Sequence, residues 1–236
     1  MSQKRKKETV LAIFAHADDE LGCAGTMANH VDAGDDVILA FLTKGENITS
    51  LDGNLKDKVE ERKTHTDKIQ DLLGVRVKFL DFKDSNIEYN VENGYIVAEL
   101  IKEIKPTIII SWSKFETMGG GHPDHRNTSD LVRDAISYAR YKREGSKFEP
   151  HREMMSYYTY VNPLEISNHQ IEAVDVSHQV EKIQSFINIY KAAYGSFPVE
   201  DFKFNSMKYF AQRSGATHVE VFKIIQRRKI ARKLLT

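Results

Sequence analysis

His16, Asp18, Asp19 and Glu20 place four ionisable groups within five positions, directly after the apolar run VLAIFA at 10–15. Carboxylates this close repel one another and are costly to take out of water. Packing gives no reason to crowd them where a buried strand ends. A positive partner does, and a metal ion is the leading candidate. A second cluster, GGGHPDHR (Gly119–Arg126), holds His122 and His125 with Asp124 between them. Its glycines let the backbone bend sharply or approach a ligand closely. Together the clusters offer three histidines and several carboxylates. Two histidines and one carboxylate, with a fourth position left to water, form a common catalytic zinc site that lowers the pKa of that water toward about 7. A nearby carboxylate outside the coordination shell could take the proton. Each cluster alone also has a plain reading: Asp18 can cap a helix, and H-P-D-H can be a turn.

The elements that must position these groups alternate cleanly in the first half of the chain. Strands are expected at Val10–Ala15, Asp36–Thr43, Val75–Phe82 and Thr107–Ser113. Helices are expected at Asp18–Ala33, Leu55–Leu73, Val91–Lys105 and near Asn127–Arg143. Strands separated by helices imply right-handed βαβ units and a mostly parallel, Rossmann-like α/β sheet with helices on both faces. The C-terminal portion is less regular. Strands are expected at 156–161 and 172–177, helices at His178–Tyr194 and Asp201–Gln212, and HVEVFKII at 218–225 is ambiguous. With no repeat and no linker, residues 1–236 read as one domain. Ligands of open α/β sheets bind beyond the carboxyl ends of the strands. Both clusters follow such ends, so they should open on one edge of the sheet.

Composition narrows the function class. Lysine plus arginine equals aspartate plus glutamate, 34 each, which argues against a nucleic-acid binder. The single cysteine, Cys23, excludes an intramolecular disulfide framework and a cysteine-rich zinc site; it reads as a small buried side chain. No run approaches the roughly 20 apolar residues of a membrane span, and the apolar run after MSQKRKKE is too short for a signal peptide. A cytoplasmic protein is the simplest expectation, and self-association is left open. The basic ends read as solvated tails. No G-x-G-x-x-G follows the first strand, which removes a dinucleotide-binding reading.

AHADDELGCAGT (15–26) resembles the AHPDDE-x-x-G-x-G-G-T signature of the PIG-L/LmbE-like zinc de-N-acetylase family, with Ala17 in place of proline. GHPDH (121–125) resembles that family's second signature. LTKGE (42–46), LLGV (72–75), FLDFKD (79–84) and THVEVF (217–222) are weaker matches that extend the resemblance over nearly the whole chain. The resemblance implies that His16, Asp19 and His125 ligate zinc or another divalent transition metal. It implies Asp18 as general base, His122 as acid or oxyanion stabiliser, and Asp124 as the group that hydrogen-bonds His122 and orients it. The implied reaction is hydrolysis of an N-acetyl group, usually from a glucosamine unit of a small-molecule sugar or glycoconjugate. Rival readings are a metal amidase acting on a larger acyl or thiol conjugate, and a non-catalytic carbohydrate- or metal-binding relative.

The remaining candidates are less specific. Family members often carry R-x-x-E in the second helix; here Arg62 is followed by His65. Arg62 is a candidate substrate-binding residue or a surface arginine paired with Glu61, and His65 is expected to be exposed. Glu20 reads as a partner behind the metal ligands or, more plainly, as a first-turn charge favoured by the helix dipole. Trp112 and Phe115 could stack on a sugar or belong to the core.

Overall fold

The computed structural model describes residues 6–114, 121–160, 170–212 and 214–227. β1 (Thr9–Phe14) is a buried strand whose alternating side chains enter two different cores. Val10, Ala12 and Phe14 pack on one face with α1 (Ala24–Asp32), α2 (Leu55–Leu73) and α5 (Val180–Ile189). Leu11 and Ile13 pack on the other face with α3 (Val91–Ile104) and α4 (Pro123–Tyr138). Burial on both faces explains why the first strands read as continuous apolar runs.

β1 pairs in parallel with β2 (Asp36–Thr43) on one side and with β4 (Ile108–Ser111) on the other. β3 (Arg76–Phe82) extends the sheet beyond β2, and β5 (Ser156–Tyr160) extends it beyond β4. All of these pairs are parallel. β7 (Val219–Gln226) lies antiparallel between β5 and β6 (Ile171–Asp175). The strand order is β3-β2-β1-β4-β5-β7-β6. The chain leaves β1 toward β2 and β3, then crosses back to β4, so the order reverses between β1 and β4. Loops diverge at such a point and leave a crevice.

Two helix starts differ from expectation, and one ambiguous segment is resolved. The first helix does not start at Asp18: Asp19–Cys23 is a 3-10 turn and α1 begins at Ala24. Short-range bonds tighten this entry, from the Asp19 amide to the His16 carbonyl and from the Leu21 amide to the Asp18 carbonyl. α4 begins at Pro123, so H-P-D-H forms the helix entry and not a preceding turn. Proline suits the first helical position because it has no N–H to leave unpaired. The ambiguous HVEVFKII segment is largely strand, with neighbours on both edges. α6 (Val199–Ala211) completes the C-terminal elements. Phe115, Gly119, Gly120 and most of the two basic ends fall outside the described residues.

Candidate metal centre

The segments after β1, β2 and β3 and the entry to α4 meet at one cleft. His16 Nδ1 lies 3.3 Å from His125 Nε2, which lies 3.1 Å from Asp19 Oδ1. Asp19 Oδ2 is 3.8 Å from His16 Nδ1. A tetrahedral ion with ligands at about 2.0–2.1 Å spaces its ligand atoms about 3.3–3.4 Å apart. The three side chains are of donor types that zinc accepts, and the His16–His125 separation matches that spacing; among the described residues, the groups whose donor atoms lie close enough to share one ion are His16, His122 and His125, and His16, Asp84 and Asp124.

The charges around His16 make the same point. Its Nε2 lies 3.1 Å from Asp124 Oδ2 and 3.2 Å from Asp84 Oδ1. Burial opposes charge on the ring, but the hydrogen bonds to Asp124 and Asp84 and the nearby Asp19 outweigh it, and the pKa is pushed up to about 10. Burial would raise the Asp19 pKa; His125 and His16 hold it well below the usual range. Asp84, also opposed by burial, is held at about 2 by its bond to His16 and that ring's charge. Three ionised carboxylates thus surround one imidazole, which itself carries the compensating positive charge; a divalent cation held by these side chains would take the place of that proton.

A profile of the PIG-L family, described as GlcNAc-PI de-N-acetylase, matches residues 11–136, more than half of the 236 residues. The chain belongs to the PIG-L family. It is 33% identical over 141 residues to the diacetylchitobiose deacetylase of Thermococcus kodakarensis, an alignment covering 55% of this chain and 49% of that protein. It is 29% identical over 154 residues to the mycothiol S-conjugate amidase of Streptomyces coelicolor, covering 55% of this chain and 52% of that one. The chain therefore spans about half the length of the curated relatives it matches. The N,N'-diacetylchitobiose deacetylase of Pyrococcus horikoshii superposes with a TM-score of 0.82 at 20% identity, covering 92% of this chain and 84% of that one. A 4-carboxy-2-hydroxymuconate hydratase of Pseudomonas putida superposes at 0.78 with 14% identity, covering 97% and 100%. At these identities the structural likenesses establish the α/β fold alone.

Within this PIG-L chain, Asp18 sits beside His16, Asp19 and His125 and lines the same cleft of about 450 Å³. It occupies the cap position of the 3-10 turn, yet its side chain makes no capping bond. Instead Oδ2 accepts from Arg62 Nη2 at 3.0 Å. Its φ of 102° lies in the left-handed region that favours glycine, at a cost of about 1–3 kcal/mol. Burial raises the Asp18 pKa; Arg62 pulls it down and Asp19 pushes it up, for a net rise. Arg62 is 2% exposed, so it is not a surface arginine paired with Glu61. His65 is buried too, its ring edge against Tyr190 at 5.5 Å, contrary to the expected exposure. Glu20 lies in the first turn of the 3-10 segment, as expected, and is fully buried.

His122 caps α4, its Nδ1 accepting the Asp124 amide at 3.2 Å. Its ring stands edge-on to His16 at 4.9 Å. The Asp124 carboxylate does not take the expected role toward His122. It accepts from the Ser85 amide at 2.8 Å, the Ile87 amide at 3.2 Å and His16 Nε2. Burial, with the charges of His16 and His125, lowers the His122 pKa and outweighs Asp124. With Nδ1 accepting, a neutral His122 carries its proton on Nε2.

One site residue escaped the sequence reading, and the contacts of another, Trp112, were not foreseen. Asp84 follows β3 and holds His16; the motif FLDFKD contained it, but its partner is far away in sequence. Trp112 stacks on His125 at 4.3 Å and donates its indole N–H to Asp19 Oδ2 at 2.9 Å. It packs against the core beside Phe14, as the core reading expects, and also braces two of the three candidate ligands.

Proposed function

We propose that this protein is a zinc-dependent hydrolase that removes the N-acetyl group from an N-acetylglucosamine-like sugar or conjugate, with residues 1–236 forming one domain that acts in the cytoplasm. The observation that carries this reading is the approach of His16 Nδ1, Asp19 and His125 Nε2 to one another beside an additional carboxylate, Asp18. Family membership and two relatives named deacetylase and amidase support amide hydrolysis over the hydration performed by the Pseudomonas neighbour.

His16, Asp19 and His125 would hold the metal. When bound, zinc supplies Lewis acidity toward a carbonyl and lowers the pKa of water toward about 7. Asp18 accepts the proton of the attacking water. Arg62 already holds Oδ2, so Oδ1 is the oxygen that takes it. As oxygen adds to the acetyl carbon, negative charge grows on the carbonyl oxygen. The Nε2–H of His122 donates a hydrogen bond there and stabilises that charge. The C–N bond then breaks, and the nitrogen leaves as an amine after receiving a proton from Asp18 or His122. Arg62 and the polar cleft residues Asn47, Thr49, Ser50 and Ser85 face the sugar.

A screen of N-acetylated sugars and their conjugates for acetate release, with zinc present and after chelation, tests this. Zinc-dependent acetate release supports it. Release of an amine with no acetate would favour the second reading, an amidase acting on a larger acyl or thiol conjugate, to which the mycothiol S-conjugate relative points. Metal analysis completes the test: the combined H16A/D19A/H125A variant should lose stoichiometric zinc. Retention of zinc in that variant would overturn the ligand assignment.

A further inference from the structure

We propose that Glu20 is a positioning residue that holds Asp18 in its strained conformation and so aims the general base. This rests on the reading of Asp18 given above. Glu20 is fully buried, and its two carboxylate oxygens have separate duties. Oε2 accepts the backbone N–H of Asp18 at 2.8 Å. Oε1 accepts the hydroxyl of Tyr190 at 2.9 Å, and Tyr190 is itself fully buried just past the end of α5.

The other polar groups of Asp18 are tied down as well. Its carbonyl accepts from the Leu21 amide and from the Tyr194 hydroxyl, both at 3.3 Å. Its carboxylate accepts from Arg62, whose guanidinium carbon lies 5.7 Å above the Tyr190 ring. Tyr190 thus contacts both of the residues that grip Asp18: Glu20 at the backbone and Arg62 at the side chain. A left-handed φ at a non-glycine residue persists only where its surroundings over-determine it. Glu20 supplies the amide-side restraint. Without it, the part-buried Asp18 N–H loses this acceptor, and the turn is free to relax toward an ordinary conformation. That rotation would swing the carboxylate off its line to the attacking water while leaving His16, Asp19 and His125 in place.

The proposal separates Glu20 from a residue that merely fills space. E20M removes both acceptors at similar volume. E20Q keeps a carbonyl oxygen for the Asp18 amide and turns its NH₂ toward the Tyr190 oxygen. Purified full-length zinc-loaded protein of each variant is assayed for acetate release on the best substrate of the parent. E20M should lose about 10²-fold in kcat, the scale set by a misplaced catalytic group, with KM and zinc content near the parent. E20Q should recover kcat to within about fivefold of the parent. Y190F, which loosens Glu20 without removing it, should fall between the two.

Amide hydrogen exchange at Asp18 gives a readout that needs no turnover. Protection should be kept in the parent and in E20Q and lost in E20M. If E20M does not fold, E20Q and Y190F carry the comparison. Parent-like kcat and Asp18 protection in Y190F, or in a folded E20M, would overturn the proposal. So would a fall in zinc content or a rise in KM that accounts for the whole defect. A parent that releases no acetate from any substrate would sink the proposed reaction, while the exchange measurement would still decide whether Glu20 pins Asp18.

Discussion

Asp18 and Asp124 are both acidic residues of a histidine motif, yet their contacts give them opposite duties. Asp18 is held on one oxygen by Arg62 and lines the cleft. D18N should therefore keep zinc and fold but lose on the order of 10²-fold or more in kcat, because the amide cannot accept the proton. Loss of zinc in D18N would make Asp18 a ligand instead. Asp124 is 1% exposed and is spent on two backbone amides and His16. Its nearest chemical analogue is the carboxylate that orients a metal-bound histidine from behind. D124A should weaken zinc binding by about 10–100-fold, the range for losing such a partner. Competition against a chromophoric chelator would measure it. A pure kcat defect with unchanged zinc affinity would instead restore the link from Asp124 to His122.

At the scale of elements, the entry to α1 must be held rigidly because Asp19 sits in the turn before it. β7 provides the anchor. Glu220 accepts from the Gly25 and Thr26 amides at 3.1 and 2.8 Å and from the Thr26 hydroxyl at 2.7 Å. These are free N–H groups of the first helical turn, where an anion is favoured. Lys203 of α6 pairs with Glu220 at 2.7 Å and donates to the Gly22 carbonyl at 3.3 Å, which ties the 3-10 turn to the same point. Both charged residues are 2% exposed. E220A should cost about 3–5 kcal/mol in a denaturant titration, because it strands a buried ammonium. Adding K203M should recover part of that loss, since the uncompensated charge is then gone. A cost below about 1 kcal/mol for E220A would place the anchor elsewhere.

For the molecule as a whole, a bound metal would be a fold component as well as part of the proposed chemistry. Asp19, Asp84 and Asp124 converge from segments after β1, after β3 and at the start of α4, and a bound cation would relieve their mutual repulsion. An ion bound to the native state alone, at about a thousand times its Kd, adds about 4 kcal/mol. For a chain of this size that is a Tm rise of roughly 10 °C. Thermal scans with excess zinc and after chelation should differ by that order. Identical scans would mean that no metal is linked to folding. Among the described residues, no helix is long and apolar enough to cross a membrane.

Local chemistry alone determined the parallel sheet, nearly every element in it, and the placement of His16, Asp18, Asp19, His122 and His125 beyond strand ends. Periodicity, capping residues and apolar runs are properties of neighbouring positions, so they survive in the linear order. The break of the first helix into a 3-10 turn and the start of α4 at Pro123 were less legible, because side-chain contacts to the turn set them. Only the tertiary structure decided which carboxylate serves which histidine. The bond from Ser85 to Asp124 joins residues 39 apart, the one from Trp112 to Asp19 spans 93, and the one from Gly25 to Glu220 spans 195. Whether an aspartate ligates, accepts a proton or orients a ring depends on which distant donor docks against it. That is set by the packing of loops across the sheet edge, and a pattern of adjacent residue types does not encode it.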